Sequence, residues 1–148
     1  MAGRFDANLP AMTPARGGVP AAANALRRIR SSETNASGQI RKSAFMPRKS
    51  GQDRDGLSVS IETDELSSLH RNLFEAEGHR ACQIRVTSVR ELPELDVISD
   101  PTQQDPAHAL IVGLPDRTLG QQQLATVTYL AQELAKRATS YTFPANAE

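Results

Sequence analysis

Leu57-Ser58-Val59-Ser60-Ile61 alternates apolar and polar side chains, the period of a strand with one face on a core. The turn-forming Asp53-Arg54-Asp55-Gly56 precedes it. Thr63 and Asp64 are residues that cap helices, and Leu66, Leu69, Leu73 and Phe74 follow at helical spacing until Gly78, which predicts a short amphipathic helix. Cys82, Ile84 and Val86 then alternate with Gln83, Arg85 and Thr87 as a second strand, and Leu95 to Ile98 reads as a third, closed by Ser99-Asp100-Pro101. Ala109-Leu110-Ile111-Val112 is a continuous apolar run, the pattern of a strand buried on both faces. Past Gly113 and Pro115, Thr118 can cap a long helix with Leu124, Val127, Leu130, Ala131 and Leu134 in one stripe, and Lys136 and Arg137 suit its C-terminal end.

The order strand, helix, strand, strand, strand, helix predicts an α+β domain over 51–148: one sheet of four to five strands with two helices packed on it. A strand from Ala44 to Met46 would supply the fifth, at an edge. The preceding 50 residues read differently. Their first 26 hold eight Ala, three Gly and three Pro, with few large apolar side chains, so they cannot bury enough surface to offset the entropy of ordering. Residues 1–50 are therefore expected to be a flexible arm. Pro20, Ala21-Ala22-Ala23, Leu26 and Ile29, with Arg27, Arg28 and Arg30 at the C-terminal end, predict a short helix over 20–31 that forms only on a partner. Ser31 to Gly38 reads as linker.

Charge changes the picture of the arm. The chain is neutral overall, yet residues 1–50 carry nine Lys/Arg against two Asp/Glu and residues 51–148 carry eight against fifteen. Such polarity serves partner binding rather than folding. Arg27, Arg28, Arg30, Arg41, Lys42, Arg48 and Lys49 are the candidate binding residues for a protein partner, with nucleic acid as the alternative. A solvated tail that confers solubility would account for the same residues. With four Phe, two Tyr and no Trp in the whole chain, single-strand recognition by base stacking is disfavoured.

Composition narrows the setting. One cysteine cannot form an intramolecular disulfide, no Cys/His spacing suits structural zinc, and no apolar run has the length of a membrane span. No cofactor or metal is implied, and a cytoplasmic protein without membrane contact is expected. An acid-poor, Arg- and Ser-containing N-terminus also matches a transit peptide in composition, although Asp6 and the prolines weaken that match.

Three constellations can be asked for chemistry. Asp53, Asp55, Gly56 and Glu62 overlay the second half of a calcium loop, but Gly51 and Ser58 occupy positions that need a ligand and an apolar residue, and a turn entering a strand explains them without metal. His108, with Asp105 or Asp100 to orient it, could act as base toward a Cys82 nucleophile, as in a small hydrolase or transferase, if the two strands were neighbours. A strand-edge histidine and a buried cysteine explain those residues more simply. His70 and His79 stand alone. The loop Gly113 to Gly120 joins a strand to a helix, where Arg117 and Thr118 could hold an anion, although Asp116 opposes it. The composite expectation is a non-enzymatic binding or accessory protein, with the Cys/His enzyme and a nucleic-acid-binding regulator as alternatives.

Overall fold

The computed structural model describes residues 18–48, 53, 55–63 and 79–143. It has a single antiparallel sheet of six strands and one long helix. The strands are β1 (Asn24–Ile29), β2 (Leu57–Ile61), β3 (Arg80–Arg85), β4 (Asp96–Ser99), β5 (His108–Val112) and β6 (Thr139–Tyr141), in the spatial order β4-β5-β2-β1-β3-β6. A five-residue helix, α1 (Val86–Arg90), follows β3 directly, and α2 (Gln121–Arg137) lies across one face of the sheet. The α+β class stands as expected. The sheet has six strands rather than four or five, and among the described residues one long helix rather than two. The helix expected over 63–77 falls almost wholly outside the described residues.

The largest departure is β1. Residues 24–29, expected in a partner-induced helix over 20–31, form a strand at the centre of the sheet, pairing with β2 through Ala25–Ile61 and Leu26–Ser60 and with β3 along its whole length. A flexible arm running to residue 50 is therefore not what the structure contains. Residues 18–48 belong to the sheet domain, and the division at residue 50 cuts through it. β3 pairs with the whole of β1 and β2 with its first half, and Ala25, Leu26 and Ile29 are buried, so long-range pairing overrides the local helix preference of an Ala-rich stretch.

The core lies between the sheet and α2. Ala25, Ile29, Leu57, Val59, Cys82, Ile84, Val97, Ala109 and Ile111 face Leu130, Ala131 and Leu134 of α2, with Val86 and Val89 of α1 beside them. The expected helical stripe is buried except for Leu124. β5 alternates buried and half-buried positions and is not enclosed on both faces. Gly113, at φ 108°, ends β5 where a Cβ would collide with the Glu94 carbonyl. Ala44 to Met46 is not an edge strand. Lys42–Phe45 is a 3-10 turn that buries Ala44 and Phe45 under α2, while β6, too short and polar to show a pattern, forms the edge beside β3.

Ser31–Gly38 is also ordered, as a 3-10 turn and a tight reversal closed by the Thr34–Ile40 bridge. The Asn35 carboxamide oxygen accepts from the amides of Ser37 (2.9 Å) and Gln39 (3.0 Å). No helix among the described residues is long and apolar enough to cross a membrane.

Two consequences can be measured. A chain starting at residue 51 lacks the central strand and is expected to show no cooperative thermal unfolding by circular dichroism; a sharp transition would contradict this sheet. In the full chain, Leu134→Ala removes a fully buried side chain and should cost about 2–5 kcal/mol in denaturant titrations.

Candidate functional site

The expected basic cluster is divided by the strand that carries it. Side chains alternate across a sheet, so Arg27 turns to the helix-covered face while Arg28 and Arg30 are exposed on the other. Arg27 packs inward as a structural cation. Its Nε–H donates to the Ala44 carbonyl (2.6 Å) and an Nη1–H to the Ser58 carbonyl (2.8 Å), with the guanidinium 5.8 Å from the Phe45 ring centroid. Burial lowers its proton affinity below the ordinary arginine value, and nearby negative groups, Asp53 and Glu33 among them, oppose that shift.

Arg48 is engaged with Asp53, which accepts both a bidentate guanidinium contact (3.0 and 3.1 Å) and the Arg48 amide (2.7 Å). Burial alone would raise the Asp53 carboxyl, but the Arg48 hydrogen bonds and charge outweigh it and hold it below the usual value. Asp53, the calcium-like loop's central residue, is thus committed to an arginine. Lys49 lies outside the described residues, as does His70.

Arg41 and Lys42 are placed differently. Both are exposed and line an open groove of about 1030 Å³ between the 35–43 reversal, the last turns of α2 and β6. Lys136 lines the same groove from α2, with Asn35, Gln39 and Gln132 among its polar neighbours. Lys136 is partly neutralised by Glu133 at 3.0 Å, whereas no ion pair or side-chain hydrogen bond holds Arg41 or Lys42 among the described residues. Hydrogen bonds from Arg137 and Lys136 keep the Glu133 carboxyl below its ordinary value, so it stays ionised. The groove is basic, hydroxyl- and amide-rich, and lined by no aromatic side chain among the described residues.

Cys82 and His108 are not brought together. β5 and β3 are separated by β2 and β1, three interstrand steps or roughly 14 Å. Register also puts them on opposite faces: His108 aligns with Ser60, Leu26 and Gln83, while Cys82 aligns with Arg27. Cys82 is 1% exposed, and burial pushes its thiol up to about 12, opposed in part by the charge of Arg27. A buried, protonated thiol is not a nucleophile. Asp105 does not orient His108 either. It is buried and accepts from the Ser60 hydroxyl and the Ala107 amide (3.1 Å), while His108 Nδ1 contacts Asp100 at the backbone oxygen (2.9 Å) and at Oδ2 (3.1 Å).

The anion loop is likewise committed elsewhere. Thr118 turns both its amide (2.9 Å) and hydroxyl (2.6 Å) to Asp116, and Arg117 donates to the Pro47 carbonyl (2.9 Å). Gly120, not Thr118, precedes α2, and no side chain caps the helix there. Lys136, the third cation of the groove, carried no functional signal in the sequence because a basic last turn is ordinary helix chemistry. No protein-family model, curated protein or solved structure matches this chain.

The Cys82 thiol is expected to resist thiol-reactive disulfide reagents in the folded protein and to react at the rate of a free thiol once denaturant unfolds it; fast labelling of the native state would contradict its burial. Asp53 has a folded pKa below the unfolded one, so it contributes stability above the ordinary carboxylate range, lost as pH falls through the folded value. Asp53→Asn should therefore destabilise at neutral pH, and the gap to wild type should narrow in acid, as read by denaturant titration at both pH values.

Proposed function

We propose that this protein is a non-enzymatic binding or accessory protein that holds an acidic segment of a partner protein in the groove lined by Arg41, Lys42 and Lys136. The observation that carries this reading is the pair of cations, Arg41 and Lys42, that have no partner among the described residues and stand at the wall of a large groove rather than dispersed over a smooth surface. Carboxylates entering there would replace water around two groups with no competing partner among the described residues, and the neighbouring amides and hydroxyls supply further donors.

Two features weigh against the alternatives. Among the described residues the groove offers no aromatic platform on which bases could stack, so protein is favoured over single-stranded nucleic acid. The separation of Cys82 from His108 removes the pair on which the hydrolase or transferase reading rested.

The test is fluorescence anisotropy at low ionic strength with the full chain, a labelled Glu/Asp-rich peptide and a labelled single-stranded oligonucleotide. The peptide is expected to bind, and Arg41→Glu with Lys42→Glu to weaken it by roughly tenfold or more while circular dichroism is unchanged. Peptide affinity unaffected by the double substitution would defeat the groove assignment. Oligonucleotide binding that is tighter and falls steeply with salt would replace the protein partner with nucleic acid.

A further inference from the structure

A second, smaller cleft of about 250 Å³ adjoins the basic groove. Ser140 of β6 lines both, so the two hollows meet across one exposed side chain. Register places Arg80, the first residue of β3, on the same side. Cys82 aligns with Ser140 and packs in the helix-covered core, and Arg80 stands two residues before Cys82, so Arg80 and Ser140 share the face on which the groove opens. Continuing that register one step past Tyr141 sets Thr142 opposite Arg80, and both line the cleft. Arg80 is exposed, and no ion pair or hydrogen bond occupies its side chain among the described residues.

The chemistry of the two hollows matches. The chain has 17 Asp and Glu, yet none among the described residues lines either hollow, while Arg41, Lys42 and Lys136 line the groove and Arg80 the cleft. Within the cleft the Thr34 hydroxyl donates to the Ser31 carbonyl (3.1 Å) and the Tyr141 hydroxyl to Glu62, whereas Arg80 and Thr142 keep their donors for an incoming group. At the crossing the Ser140 hydroxyl donates to the Gly38 carbonyl (3.4 Å), which leaves its oxygen to accept from a passing peptide N–H. A guanidinium at a cleft wall suits a carboxylate, which its fork can meet with two hydrogen bonds. We infer that the acidic segment held in the groove crosses Ser140 and sets a second carboxylate on Arg80, so that the protein reads two acidic positions at a fixed spacing rather than one acidic patch. The inference rests on the groove reading and adds Arg80 as the residue that sets specificity for the longer segment.

The test is fluorescence anisotropy with the full chain and labelled peptides carrying either one Glu/Asp cluster or two. The two clusters are joined by spacers of about two to eight Gly/Ser residues, which reach roughly 7–26 Å at ~3.3 Å per residue. Shuffled peptides of equal charge are the comparators. The best two-cluster peptide is expected to bind roughly tenfold tighter than the single cluster and than its own shuffled form, with a maximum at one spacer length. Arg80→Glu should remove that gain and leave the single cluster within about twofold. Arg30→Glu makes the same charge change at an exposed residue that lines neither hollow, and should leave the gain in place. Two-cluster peptides no tighter than their shuffled forms at every spacing, or a gain that survives Arg80→Glu, would overturn the inference, and the groove reading would stand if the single cluster still responds to Arg41→Glu with Lys42→Glu. A single cluster indifferent to that double substitution overturns the groove reading itself, and this inference with it. The spacer series on the wild-type chain decides the matter if Arg80→Glu does not fold.

Discussion

A buried guanidinium holds the layers of this protein in register. Arg27 sits in the middle of the central strand and reaches two carbonyls that secondary structure leaves open to it, one in the 3-10 turn at Ala44 and one at Ser58 of β2. Phe45 stacks below it and is itself fully buried. A charge so placed is tolerable only because hydrogen bonds and an aromatic face replace its water. Through those contacts the turn that follows Arg41 and Lys42 is fixed against the sheet and under α2. The groove's geometry therefore descends from β1: without the strand there is no Arg27 in position to tie the turn to the sheet.

That dependence also explains what could be read from the chain and what could not. β2, β3, β4 and α2 announce themselves because each is amphipathic at the period of its own structure, and β5 because it is a continuous apolar run. β1 hides because Arg27 occupies a core-facing position, so the run Ala25-Leu26-Arg27-Arg28-Ile29 shows no alternation, and its alanines favour helix locally. Only partners drawn from residues 57–61 and 80–85 make it a strand, and a single-chain pattern does not contain them. β6 is hidden for a simpler reason: Thr139-Ser140-Tyr141 is three residues with little apolar content.

The candidate sites follow the same logic. Charge counting pointed to the first 50 residues, and Arg41 and Lys42 do lie in a groove, but the same count could not separate them from Arg27, a structural cation, or Arg48, committed to Asp53. Lys136 joins them from almost a hundred positions away, which is a property of the fold. Conversely, the proximity that the Cys82–His108 idea needed was a statement about strand order, and two intervening strands refute it. The polarity between a basic arm and an acidic body dissolves on the same ground, since Arg27, Arg28, Arg30, Arg41, Lys42 and Arg48 belong to the sheet domain. What remains is a local contrast within one domain, cations without a partner among the described residues beside paired ones.

The most direct measurement is native-state amide hydrogen exchange on the full chain, resolved for β1. If the basic segment is the centre of the fold, the hydrogen-bonded amides of residues 25–29 should exchange only through global opening, with the same free energy and denaturant dependence as those of β3. Exchange of β1 at the rate of an unstructured peptide, while β3 and α2 stay protected, would contradict the account and return residues 18–48 to the status of an arm.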